Sequence, residues 1–353
     1  MEGIATGLAP HVYEVRTSAR TMWFLCACLF VPVLQSAFND GFASILIAAV
    51  AVASAVAAEL VLDVGSPHSA IGVTDGSSVA SALILTLMLP NAIHPAIAAA
   101  GAVFAAVVVK RSFGGLGSNW LNPAVGAWLF VRLCWPESFA SALSNSPLSQ
   151  LSGAVAKGLS DHSGSPLTVL KIAGSKPSAV DGVVTTWLNE SVLSPLGAEL
   201  PGGYIDLFIP TTAGTIADRG LLLLLAATVV LIALNVIRWI VPVVFISVYL
   251  ALCFLWGGLP YGGELYSGDM LYALLSGSVA LTAFVLVSDP ATGAKTKLGT
   301  VFVAAAAGAF AYWFRFHGAD PYGALLAVPT ANAFTVLFRM AERRFRFTPR
   351  SRA

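Results

Sequence analysis

Apolar residues in this chain come in long runs separated by short polar punctuation, not one helical face at a time. Ten runs stand out, at approximately 21–38, 43–62, 70–90, 93–110, 122–136, 219–236, 239–256, 270–287, 298–315 and 322–338. A helix crosses the hydrocarbon layer with about 20 mostly apolar residues, so the pattern predicts ten crossings, the fifth short. The third run is irregular. Its clean apolar part, Val79 to Leu89, is too short to cross alone, and reaching full length means including Gly72, Asp75, Gly76 and Ser77. Polar backbone at that depth survives only inside protein or along a cavity. The run therefore predicts a broken helix. Asp75 is then either an ion-path carboxylate or a helix cap at the inner surface.

Composition fits this pattern. The chain has 353 residues, 57% hydrophobic and 10% charged, where a soluble domain carries about 25% charged. That excludes a soluble globular enzyme and implies membrane lipid as the surroundings. A net charge of +1 gives no electrostatic footprint for nucleic acid. The first run follows a polar segment and is followed by more runs, so it reads as a retained anchor, not a cleaved leader. Cys26, Cys28, Cys134 and Cys253 lie in or beside apolar runs without zinc-like spacing. They read as packing residues, with an iron site shared with a partner subunit as the alternative. His11, His68, His94, His162 and His317 are scattered.

Charge orients the runs. With the N-terminus inside, the inner segments hold Arg16, Arg20, Lys110, Arg111, Arg238, Lys295, Lys297 and the basic tail after Arg339, most of the 19 Lys and Arg. Lys and Arg concentrate on the cytoplasmic side. Both ends are then inside, and the one long connection, 136–218, is outside. The expected organisation is a five-span half (1–135), an external loop (136–218), a second five-span half (219–340) and a basic cytoplasmic tail (341–353).

The halves echo each other. DGSSVASALILTLMLP (75–90) resembles SGSVALTAFVLVSDP (276–290), and NPAVGAWLFVRL (122–133) resembles VPTANAFTVLFRM (328–340). Each pair places a small polar turn or proline at the same point, in the same order. Five spans is an odd number, so the second half runs opposite to the first. The expected fold is an all-α polytopic membrane protein with two inverted five-helix repeats, a plan that puts ligand sites on broken helices near the midplane.

Two inner loops carry candidate chemistry. In KRSFGGLGSNWLNPA (110–124), Gly115 and Gly117 allow positive φ and close backbone approach. Asn119 and Asn122 can each donate and accept, as the edge of a heterocyclic ring requires. Lys110 and Arg111 read as ordinary inner-side charges, with a phosphate contact as the alternative. SDPATGAKTKLG (288–299) places Asp289 before a proline, either a turn and cap or an ion-path carboxylate. DHSGS (161–165) sets Asp161, His162 and Ser163 side by side, too close for a relay. Outside, VDGVVTTWLN (180–189) is a polar sentence in an oily chain.

Several blocks in order resemble one family, that of the D subunit of the Rnf electron-transport complex and the B subunit of the Na⁺-translocating NADH:quinone reductase. They are APHVYEVRTSARTM, DGSSVASALILTLMLP, FGGLGSNWLNPA, YIDLFIPTTAGTIADRG and SDPATGAKTKLG, and the likeness covers nearly the whole chain. The resemblance implies a bacterial inner-membrane subunit that passes electrons between partner subunits while the complex moves Na⁺ or H⁺, with no complete reaction of its own. It implies FMN held on a threonine by a phosphoester, attached by a separate flavin transferase, and in some members riboflavin held non-covalently. It implies a fold related to urea and ammonium channels. The implied acceptor is Thr186, with Thr185 as fallback, Asp181 and Gly182 supplying a turn and Trp187 a ring to stack on the flavin. The match departs from the family here: Val184 stands where Ser or Thr is usual, and Trp187 where the acceptor falls. Thr292 and Thr296 sit in a similar string, but topology places them inside. The alternatives are a solute channel on the same fold and a scaffold subunit without flavin.

Overall fold

The computed structural model describes residues 17–63, 74–115, 117–139, 179–197, 199–200, 204–205, 208, 215–257, 265–266, 268–317 and 322–347. His11, Arg16, His68, Gly72, the 161–165 string and the middle of YIDLFIPTTAGTIADRG (206–207 and 209–214) lie outside the described residues. The described residues form helices and no strand. They are α1 (Ser18–Asp40), α2 (Ala43–Asp63), α3 (Ser77–Met88), α4 (Pro95–Phe104), α5 (Pro123–Cys134), α6 (Ala179–Leu188), α7 (Ile216–Arg219), α8 (Leu221–Ala233), α9 (Ile240–Trp256), α10 (Met270–Leu275), α11 (Val279–Leu281), α12 (Lys297–Phe316) and α13 (Gly323–Phe347). Wider π-helical turns extend α4 through Ala105–Arg111, α6 through Asn189–Leu193 and α11 through Thr282–Leu286.

Four helices carry stretches long and apolar enough to cross a membrane: Ser18–Phe38, Ala43–Asp63, Lys297–Phe316 and Gly323–Arg344. α3, α5, α8 and α9 are apolar but shorter. Val229, Phe302, Trp313 and Leu337 are each more than half exposed, an apolar exterior that suits lipid. The chain is a multi-pass membrane protein.

Caps mark where the runs begin. Thr17 accepts from the Arg20 N–H at the start of α1. His94 accepts from the Ala96 N–H, with Pro95 at the first position of α4. Asn122 and Pro123 do the same for α5, and Thr215 with Asp218 forms a capping box on α7. Each cap satisfies a donor that has no partner within its own helix. Packing relies on small residues. Ala304, Ala307 and Ala311 of α12 are buried, as are Phe245 and Tyr249 of the adjoining α9. Lacking a hydrophobic drive between helices in lipid, such pairs gain from close approach.

The structure changes three expectations. The eighth run, expected as one crossing helix, is interrupted at Ser276–Ser278, between α10 and α11. The last run continues past 340 as helix to Phe347, so the basic tail begins inside α13. The polar sentence at 180–189 is not a turn. It is α6, with Asp181 in its first turn and Gly182 in helical conformation. The buried Asp181 carboxylate accepts from the Ile205 N–H at 2.8 Å, which fixes the helix start against a distant segment.

Candidate functional site

Residues of α1, α3 and α5, the end of the α4 extension and the 285–291 segment line a cavity of about 90 Å³, room for several waters. Its polar lining is Thr21, Ser77, Ser81, Lys110, Asn119, Asn122, Ser288 and Asp289, against apolar walls that include Leu25, Ile84, Ile237 and Val285. Three of the residues singled out in the sequence, Asn119, Asn122 and Asp289, therefore share one cavity.

Asn122 works at both ends of its amide. Its oxygen accepts from the Ala124 N–H at 3.0 Å, and its nitrogen donates to Asp289 Oδ2 at 3.0 Å. That second bond joins residues 167 apart in the chain. Asn119 is buried, and with its nitrogen turned inward it donates to the carbonyls of Val109 and Lys110 at 3.2 and 3.3 Å. Asp289 accepts from the Ala291 N–H at 3.0 Å. Burial pushes its carboxyl up from the usual range, against the pull of the Ala291 N–H, the Thr292 hydroxyl, the Asn122 amide and Lys295. Loss of solvation disfavours the charged form, and donors restore part of it.

Asp75 does not line this cavity. Its Oδ1 accepts from the Ser77 N–H at 2.8 Å and the Ser77 hydroxyl at 2.6 Å, so it is one bond from the lining. Gly115 and Gly117 also lie off the cavity, at φ +89° and +88°, with open space where a Cβ would stand. Their backbone conformation requires glycine; no close approach does.

Lys110 corrects the reading of an ordinary inner-side charge. It is buried, and its Nζ donates to Glu59 Oε1 at 2.6 Å, Ser77 Oγ at 2.6 Å and Ser78 Oγ at 3.0 Å. The π-helical end of α4 carries it there. Arg111 is likewise paired, with Asp63. Glu59 was legible as a lone carboxylate in the second apolar run, the kind of residue that marks function in a membrane.

The α6 element sits apart. Thr185 is buried, and among the described residues its hydroxyl has no hydrogen-bond partner. Thr186 is exposed, and its hydroxyl donates back to the Gly182 carbonyl at 2.7 Å. Trp187 is 61% exposed, and a Cβ on Gly182 would meet nothing within 4 Å. An exposed hydroxyl beside a free indole face, over open space, fits attachment of a flavin at Thr186. Buried Thr185 does not present its oxygen to another protein. Thr296 caps α12 through the Gly299 N–H at 3.1 Å, and Thr292 is buried.

Both interrupted helices start alike. Gly76 precedes α3 at φ +73°, and Gly277 and Ser278 precede α11 at φ +66° and +59°. An aspartate holds the serine at each: Asp75 on Ser77, and Asp218 on Ser278, whose N–H and hydroxyl it accepts at 2.5 and 3.0 Å. A buried cation meets each break, Lys110 at Ser77 and Arg315 at Ser276.

A bundle of apolar helices with broken members and a small polar cavity is a plan shared by many membrane transport proteins. Residues 5–348 match the model of the NQR2, RnfD, RnfE family, and the chain belongs to it. Among its relatives is the D subunit of the proton-translocating ferredoxin:NAD(+) oxidoreductase complex of Clostridium ljungdahlii, 27% identical over 93% of this chain and 91% of that one. The D subunit of the ion-translocating oxidoreductase complex of Escherichia fergusonii is 28% identical over 92% of each. The D subunit of the Na(+)-translocating ferredoxin:NAD(+) oxidoreductase complex of Acetobacterium woodii is 27% identical over 93% of this chain and 90% of its own.

Proposed function

We propose that this chain is the D-type membrane subunit of an ion-translocating oxidoreductase complex in a bacterial inner membrane, moving Na⁺ or H⁺ as electrons pass between partner subunits. The observation that carries the reading is similarity along nearly the full length to subunits that bear that name in other organisms. Ten spans in two inverted five-helix repeats, both termini cytoplasmic and 136–218 outside, complete the arrangement. The matching breaks before α3 and α11 support the repeat.

FMN is esterified to Thr186 by a flavin transferase, and supplies one- and two-electron transfer when bound. Exposure of Thr186 and burial of Thr185 support that choice. Asp181 anchors the helix, Gly182 leaves space beside it, and Trp187 offers a ring face. The inner cavity, with Asn119, Asn122 and Asp289, has room for several waters, far less than a flavin ring fills, and both amides already spend hydrogen bonds within the chain, so a non-covalent riboflavin is not assigned to it. Asp75 and Asp289 lie along the ion path beside it. Intact and peptide mass spectrometry of native protein tests the tether: an FMN adduct on the 180–190 peptide is expected. An adduct on Thr292 or Thr296, or none, defeats it.

A second reading, a scaffold subunit without covalent flavin, draws on one observation: Trp187 stands where the family pattern has its acceptor. In-gel flavin fluorescence after denaturation separates the two.

A further inference from the structure

Arg315 is 2% exposed and ends α12 inside the bundle. Its Nη1 donates to the Tyr249 hydroxyl at 2.7 Å and to the carbonyl of Ala273. Its Nη2 donates to Ser276 Oγ at 2.5 Å. A Cβ on Gly277 would lie 3.0 Å from Cζ, so the guanidinium lies flat on the break. Among the described residues no carboxylate forms an ion pair with it, and its Nε has no partner.

Arginine keeps its charge when buried, and an unpaired buried charge is strongly unfavourable. What this one bonds among the described residues is a set of neutral oxygens, a carbonyl from the last turn of α10, a phenol and a hydroxyl, with the Asp218 carboxylate held on Ser278 at the far side of the break. Carbonyls at the end of a half-helix, joined by nearby oxygens, are how broken membrane helices hold a monovalent cation. The guanidinium occupies the centre of that set. The other break repeats the arrangement with a different occupant, the Lys110 ammonium among Ser77, Ser78 and Glu59.

We propose that the Ser276–Ser278 break is a monovalent-cation seat that the chain fills with its own cation, Arg315, closing the second half of the bundle to ion passage. The two breaks then differ in kind. A buried lysine can give up its proton and move aside, and an arginine cannot. Ion traffic is left to the first break and the cavity beside it. The inference needs the break and its guanidinium, and does not depend on flavin at Thr186.

The full chain, reconstituted into vesicles holding a Na⁺-sensitive dye, tests it with Arg315→Lys, Arg315→Gln and Arg315→Ala. Wild type and Arg315→Lys are expected to stay tight. Arg315→Ala is expected to leak Na⁺, and low-millimolar guanidinium to suppress that leak and raise the variant's melting midpoint toward wild type. Arg315→Gln keeps hydrogen bonding without charge and is expected to lose stability as the alanine variant does. If Gln is as stable and tight as wild type while Lys is not, hydrogen bonding alone is at work and the seat is refuted. A folded Arg315→Ala protein that stays tight and ignores guanidinium refutes it equally. Should the alanine variant fail to fold, the Lys-against-Gln comparison decides.

Discussion

Replacing Lys110 by methionine removes one partner of a buried pair and leaves the other in place. The side chains of Lys110 and Glu59 are 6% and 3% exposed, so solvent screens neither. Among the described residues Glu59 Oε2 already lacks a partner, and the substitution strips Oε1 of its ammonium as well. Breaking a buried pair from one side costs about 3–5 kcal/mol, roughly two to almost four orders of magnitude in the folded-to-unfolded ratio. The double change Lys110→Met with Glu59→Leu replaces the pair by packing and should cost about 1 kcal/mol or less, since such swaps are often neutral or better. Glu59→Leu alone should be milder than Lys110→Met, because Lys110 keeps the Ser77 and Ser78 hydroxyls as acceptors. Unfolding in mixed micelles, followed by tryptophan fluorescence, measures all four corners of the cycle. A single-change cost for Lys110→Met under about 1 kcal/mol, or a double change equal to the sum of the singles, would show that the two charges do not act as a pair.

Asp289→Asn should flatten one component of pH dependence. Burial raises the folded-state pKa of Asp289 above its unfolded value, so its contribution to stability is fully present below the unfolded pKa and lost as pH rises through the folded pKa. The melting midpoint of wild type relative to Asp289→Asn should therefore rise as pH falls from neutral toward the carboxylate range; a pH-independent difference refutes the assignment. Thr186→Ala should abolish flavin fluorescence in denaturing gels. Thr185→Val should keep it and gain stability, of order 1 kcal/mol, by removing a buried hydroxyl without a partner. Gly76→Ala should cost about 1–2 kcal/mol, since φ +73° disfavours any Cβ and the new carbon would stand 3.2 Å from Trp23. Thermal denaturation reads it, with the exposed Gly197→Ala at φ +67° as the control for strain without contact.

The helices were readable because length and apolar content decide them without knowledge of neighbours. The break before α3 was readable too, since an aspartate and a glycine cannot sit in an apolar helix at no cost. The interruption before α11 was less so. Its serines and glycine were matched to the small polar turn at 75–77, yet the run around them was still counted as one crossing helix, and the Arg315 contact that marks the break spans 39 residues. Lys110 misled for the same reason. Beside Arg111 in a loop it looks like a charge facing water, and only the wider turns of the π-helical segment carry it to Glu59, 51 residues away. Asn119 and Asn122 were named for donor and acceptor capacity, and Asp289 as a turn and cap or an ion-path carboxylate; that Asn122 meets Asp289 is a fact of packing. The 180–189 stretch failed on local grammar. Asp-Gly ordinarily starts a turn, but here a buried bond from Ile205 to Asp181 makes the aspartate the first turn of a helix.

Asp181 is also the first link in a longer chain of bonds. It holds Ile205, and the next residue back, Tyr204, donates its hydroxyl to Asp269. Asp269 in turn caps α10, accepting from the Tyr272 N–H at 3.0 Å. α10 ends at the Ser276 break, where Arg315 grips both the Ala273 carbonyl and the Ser276 hydroxyl. The helix bearing Thr186 is thus joined, through hydrogen bonds and one short helix, to the break in the second half. The cavity belongs mostly to the first half and reaches the second through Asn122 and Asp289. In a contiguous packed network the element both sites share is the one that can couple them, and here that element is the interrupted helix α10–α11, gripped by Arg315 at its break and followed by Asp289 beyond its end.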